Sequence, residues 1–85
     1  MASYRLLIKP SAAKELEALP KKDRRRVAAG IQDLSRTPRP PGCEKLSGHD
    51  LYRVRQGRYR ILYTIHDAEI VIVVISIGHR REVHR

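Results

Sequence analysis

Between Leu51 and Ile65 the chain reads LYRVRQGRYRILYTI, two runs in which apolar and basic residues alternate about a Gln56-Gly57 break. Period-two alternation marks a half-buried β-strand, and two such runs around a short glycine-containing break predict a β-hairpin. With Gln56 and Gly57 at the turn, Arg55 faces Arg58, Arg53 faces Arg60, and all four project from one side. Tyr52, Val54, Tyr59, Ile61, Tyr63 and Ile65 share the other side. Like charges placed directly opposite on a sheet destabilise it. A chain that keeps them there is expected to meet a polyanion on that face. The rest of the sequence must cover the apolar side.

The chain has 85 residues and is expected to form a single domain over residues 1–85. A chain of this size buries only about 60–65% of its unfolded surface. Phe and Trp are absent, so Val, Ile, Leu, Ala and the bodies of four tyrosines must supply the core. The formal charge of +9 favours an acidic partner: nucleic acid, an anionic membrane or an acidic protein. Within it, 13 arginines outnumber 5 lysines, a bias suited to bidentate phosphate contacts and stacking on bases. A basic surface that merely keeps the protein soluble is the plainer alternative. Cys43 is the one cysteine and sits in a proline-rich loop, so no internal disulfide forms and a reducing compartment fits. No signal-peptide pattern opens the chain, and the apolar run Ile70 to Ile75 falls far short of the ~20 residues that span a bilayer. A cytoplasmic protein with no membrane partner is expected.

Taken in order, Ser3 to Lys9 predicts a first strand ended by Pro10. Ser11 is the expected N-cap of a helix with Ala12, Leu16 and Leu19 on one face, closed by Pro20. A second helix starts near Lys21 with Asp23 in its first turn and Val27, Ile31 and Leu34 as its apolar stripe. Lys22, Arg24, Arg25 and Arg26 crowd its start, as a solvated face or as a second patch for phosphates. Thr37 to Gly42 is a loop that continues through Lys45 to Asp50 into the hairpin. His66 to Glu69 is a second turn, and Ile70 to Ile77 is apolar on both faces like a central strand, with Gly78 expected to break it. The predicted fold class is α+β: a small, mainly antiparallel four-stranded sheet with an N-terminal αα-hairpin packed on one face, in the order β-α-α-β-β-β.

The hairpin sequence, the apolar strand after it, the ending GHRREVHR, the Leu19-Pro20 joint and the KLSG lead-in together resemble the RelE/ParE superfamily of toxins from type II toxin–antitoxin pairs. The resemblance spans essentially the whole chain. Its RelE branch, which the ending resembles more, cleaves mRNA on the ribosome, and its ParE branch poisons DNA gyrase. It implies a RelB-like acidic antitoxin from a neighbouring gene, a toxin–antitoxin hetero-oligomer, ribosome and mRNA as further partners, and no cofactor or metal. The four histidines show no ligand spacing either. The catalytic positions implied are Arg53 and Arg55, where well-studied members often carry lysine, Arg60 in the GxYR segment, Arg80 after the last strand, and His84, where many members carry a tyrosine. Arg58, Arg81, His79 and Arg85 are the expected RNA contacts.

The implied reaction is attack of an RNA 2′-hydroxyl on its neighbouring phosphate, which needs a base, cations for the phosphorane charge and an acid for the leaving oxygen. Arginine supplies the cations and, with a pKa above about 12, makes a poor base. His84, with an intrinsic pKa of about 6.5, suits proton transfer better; base stacking and solvent exposure are its alternatives. A structural role is equally open to His79, and an ion pair with Glu82 or Asp50 to Arg60. A gyrase inhibitor and a plain RNA- or ribosome-binding module are the competing functions.

Overall fold

The computed structural model describes residues 3–46 and 50–79. Its elements are β1 (Arg5–Ile8), α1 (Pro10–Glu17), α2 (Lys21–Leu34), β2 (Glu44–Lys45), β3 (Leu51–Gln56), β4 (Tyr59–His66) and β5 (Val71–His79). The strands form one sheet in the order β1-β5-β4-β3-β2. This corrects the expected four-stranded, mainly antiparallel sheet to a five-stranded mixed one. Strand β1 runs parallel to β5, with Arg5 opposite Val71 and Ile8 opposite Val74. Strand β2 adds a short antiparallel edge, Glu44 opposite Arg53 and Lys45 opposite Tyr52. Two residues carry no periodic signal, so β2 is invisible until its partner is in place.

The hairpin forms with its turn one residue later than the dipeptide Gln56-Gly57. Gly57 takes the first central position with φ +62, the sign a type II′ turn requires there, and Arg58 follows it. Arg55 therefore stands opposite Arg60, and Arg53 opposite Leu62. Because the side-chain period is two, this change of register leaves every strand residue on its expected face, but it moves Arg58 out of the strand and into the turn, where it no longer pairs with Arg55. Gly78 does not break β5: it pairs with Arg60, and His79 pairs with Tyr59. A bulge between Leu62 and Tyr63 shifts the β4–β5 register, so that Ser76 and Val74 are their respective partners.

Helix α1 begins at Pro10, with Lys9 in the N-cap position and no side-chain cap, so Ser11 lies inside the first turn instead of capping it. Proline fits there because its missing N–H would have no intrahelical partner. In α2 the predicted stripe of Val27, Ile31 and Leu34 is buried. The helices cover one face of the sheet, and Ile61, Tyr63, Ile72 and Val74 from β4 and β5 complete the fully buried centre. Helix α2 approaches β3 closely at Gly30, where a Cβ would lie 2.5 Å from Gln56 Oε1. Tyr52, Tyr59 and Tyr63 face this core as expected. Each keeps its hydroxyl bonded. Tyr63 donates to the Pro38 carbonyl at 2.8 Å, Tyr59 donates to Asp23 Oδ2 at 2.8 Å, and Tyr52 accepts from Arg39 Nε at 3.2 Å. Burial, first, pushes the Tyr63 phenol well above its ordinary pKa.

Asp67, in the β4–β5 turn, gathers three parts of the chain. It accepts from Tyr4 Oη at 2.7 Å and from Arg39 Nη2 at 2.8 Å, while the Arg39 guanidinium lies 5.2 Å from the centre of the Tyr52 ring. The hydrogen bond from Arg39, then the one from Tyr4, holds the Asp67 carboxyl below its ordinary 3.8. A carboxyl with a depressed folded-state pKa stabilises above its unfolded pKa and loses that contribution as pH falls through the folded one. Asp67→Asn is therefore expected to lower Tm at pH 7, with the gap to wild type closing below about pH 4. Thermal melts across pH 2.5–8 measure this; a gap that stays constant would show that the carboxylate charge plays no part.

Candidate nucleic-acid interface

Alternation along β3 and β4 delivers Arg53, Arg55 and Arg60 to the sheet face that the helices leave open. Arg55 is exposed, whereas Arg53 and Arg60 are partly buried. Across from Arg60 stands Gly78, which has no side chain to compete for the space over β5. Arg60 Nε is buried without a hydrogen-bond partner among the described residues. A dry guanidinium donor carries a desolvation cost that an incoming oxygen would relieve. The ion pair with Asp50 envisaged for Arg60 does not form.

Arg53 has a partner that nothing in the sequence singled out. Its Nε lies 3.0 Å from Glu44 Oε1, and its Nη2 contacts the same oxygen. Glu44 reaches the open face because β2 places it opposite Arg53. The hydrogen bond from Arg53, then its charge, lowers the Glu44 pKa, and Arg55 adds to the effect. The carboxylate is thus ionised at neutral pH and a weak proton acceptor. Glu44, Arg53 and Arg55 line a concavity of about 240 Å³, with Pro41 and Gly42 among its walls. Its mouth is cationic by two guanidinium groups against one carboxylate, an arrangement that accepts a phosphate by displacing Glu44 from one fork.

Arg58 is exposed at the tip of the hairpin. His79 lies on the helix side of the sheet, edge-on to the Tyr59 ring with centroids 5.4 Å apart, and so behind the arginine face. Arg80, Arg81, His84 and Arg85 lie outside the described residues. The structure therefore brings together Arg53, Arg55 and Arg60, sets Arg58 beside them, and separates His79 from them by the sheet. Among the described residues no group of three His, Cys, Asp or Glu is placed to hold a metal ion, and no helix is long and apolar enough to cross a membrane.

A family model described as the ParE toxin of type II toxin–antitoxin systems matches residues 6–84. The chain belongs to the RelE/ParE superfamily of toxins. This toxin is 32% identical to toxin RelG of Mycobacterium tuberculosis, over 96% of its own length and 97% of the relative's. Among solved structures, it superposes on the archaeal RelE–RelB complex of Pyrococcus horikoshii with a TM-score of 0.83 at 33% identity, covering 92% of this chain and 96% of that one. The RelBE toxin–antitoxin complex of Escherichia coli gives a TM-score of 0.78 at 29% identity, covering 91% of this chain and 96% of that one. The two helices and five-stranded mixed sheet form a RelE-like fold, and the face built by β3 and β4 sits on that scaffold.

Glu44 was missed because its role exists only through the β2–β3 register. Glu44→Gln frees Arg53 and removes a negative charge from the concavity. Short single-stranded oligonucleotides are expected to bind roughly two- to fivefold more tightly, in keeping with the modest worth of an exposed ion pair. Fluorescence anisotropy at 0.1 M salt would read it; weaker binding by the variant would mean that Glu44 assists the ligand.

Proposed function

We propose that this toxin is a metal-independent endoribonuclease that cuts mRNA in the ribosome and is held inactive by a RelB-like antitoxin. The observation that carries the reading is the Arg60 guanidinium, half-buried with an Nε that has no partner among the described residues, on an open face it shares with Arg53 and Arg55. Family membership supports a toxin, and the similar RelE chains of Pyrococcus horikoshii and Escherichia coli have been solved in complex with RelB antitoxins. A face this open suits an enzyme whose substrate is positioned by a larger particle, since the entropic work of alignment is then done elsewhere.

In this reading the RNA 2′-oxygen attacks the adjacent phosphorus, the bond from phosphorus to the 5′-oxygen breaks, and a 2′,3′-cyclic phosphate and a 5′-hydroxyl result. Arg60 and Arg53 hold the non-bridging oxygens as their negative charge grows, Arg55 adds to the field, and Arg58 grips a flanking phosphate. Proton transfer falls to the segment after His79: His84 as acid or base and Arg80 as a further cation, with Arg81 and Arg85 on the RNA backbone. His79 supports Tyr59 from behind.

Toxin purified from its antitoxin and added to programmed ribosomes is expected to yield new mRNA 5′ ends within the A-site codon. Arg60→Ala should lower the single-turnover rate by roughly 10²- to 10³-fold, the scale for loss of one preorganised oxyanion donor. Intact mRNA with active wild-type protein would sink the proposal. A second reading has one observation in its favour: Glu44, the one carboxylate among the described residues that line the β2–β3 concavity, is ion-paired and a weak base. A non-catalytic toxin acting on gyrase needs no base. Inhibition of gyrase supercoiling without mRNA loss would select it.

A further inference from the structure

A second concave region lies at the same end of the hairpin but on its helix side. The start of α2 and the β3–β4 turn enclose a cleft of about 450 Å³, lined by Lys22, Arg26 and Arg58 together with Asp23 and Tyr59. Lys21 and Arg25 stand beside Lys22 and Arg26 around an adjoining hollow on α2. Among the described residues none of these five cations forms an ion pair. Four of them, all but Arg58, crowd the first two turns of α2, the end at which the helix dipole already disfavours positive charge. One carboxylate, Asp23, opposes them.

A solvated basic helix face would be convex. Here the cations converge on a cleft whose two walls are tied together. Tyr59 Oη donates to Asp23 Oδ2 at 2.8 Å, joining β4 to α2. That bond, then burial, raises the Tyr59 phenol pKa, so the donor persists through the physiological range. Packing of Gln56 beneath Gly30 holds the β3 side of the same wall. The cleft is therefore preformed, and one oxygen of its carboxylate is already occupied.

We propose that this cleft is a second phosphate site, which takes the sugar–phosphate backbone of RNA. Arg58 belongs to both regions. It lines the cleft and sits at the tip of the strands that carry Arg55 and Arg60. A strand lying on the arginine face and continuing over the hairpin tip would enter the cleft without leaving cationic surface. Pro20, Val27 and Tyr59 also line the cleft, but Val27 and Tyr59 are buried. What it offers a ligand is chiefly arginine and lysine donors, which match phosphates. An acidic peptide, which draws its affinity from apolar anchors, is the competing occupant that the antitoxin arm of the test detects. The proposal rests on the reading of the arginine face as an RNA site, but not on cleavage there.

The test uses a short 2′-O-methyl RNA, which binds but cannot be cut through its 2′-oxygen, and follows the salt dependence of its Kd. Lys22→Gln/Arg26→Gln is expected to reduce the slope of log K against log salt by about 1.4, two single-strand phosphate contacts at ~0.7 each, and to weaken binding on the order of tenfold at 0.15 M salt. Lys9→Gln/Lys14→Gln, an equal loss of charge on the other helix, should leave the slope nearly unchanged. Circular dichroism melts establish that both variants fold. An unchanged slope in the cleft variant, or an equal fall in the control, overturns the proposal. So does loss of antitoxin affinity in the cleft variant with RNA binding intact, which would assign the cleft to the protein partner. Because cutting is not the readout, a fall in slope stands even if ribosome assays find no cleavage. Cleavage with an unchanged slope retires the cleft alone.

Discussion

Arg55 and Arg60 stand directly opposite one another across an antiparallel ladder, and the surrounding structure is arranged around that repulsion. Backbone pairing and the packing of Val54, Ile61 and their neighbours behind the strands hold the two guanidinium groups where isolated chains would splay them apart. Packing can do so because the other face of each strand is a nearly continuous set of buried tyrosine, valine and isoleucine side chains. Charge repulsion on one face is offset by hydrophobic burial on the other. The helices supply the cover, and the Tyr59–Asp23 and Tyr63–Pro38 hydrogen bonds fix how the cover is seated.

The period-two pattern made the hairpin and its two faces legible in the sequence, and it did so despite an error of one residue in the turn. Faces survive such an error, whereas partners do not: Arg53 meets Leu62, not Arg60. The apolar stripe of α2 and the core role of the tyrosines were legible for the same reason, since burial imposes periodicity. What escaped depends on pairing between distant segments. The parallel direction of β1, the two-residue β2, and the Arg39–Asp67 and Glu44–Arg53 pairs leave no local trace. Pro10 ends the first strand as expected, but it also opens α1 and leaves Ser11 inside the first turn. Gly78 does not break β5, because a glycine opposite a large side chain is compatible with the strand it occupies.

The candidate site divides along the same line. Residue type and alternation were enough to assemble three arginines on one surface, but only the fold reveals that they are unequal. Arg55 is exposed, Arg53 is engaged by Glu44, and Arg60 keeps a buried donor with no partner among the described residues. A phosphate arriving there meets one cation that is ready, one that must exchange a partner and one that costs little to recruit. If the face takes phosphate as proposed, such grading would tie its affinity to the state of Glu44, and so to local charge.

The parallel union of β1 with β5 also bears on timing. Residue 5 finds its place beside residue 71, so the first strand to emerge during synthesis waits for the last of the described strands before its ladder can form. Contacts between such distant segments form late. Until β5 exists, Gly78 is not across from Arg60, β4 lacks one of its two neighbours, and the helices have half a sheet to cover. The arginine face is therefore complete, with Gly78 across from Arg60, only once that distant pairing has closed.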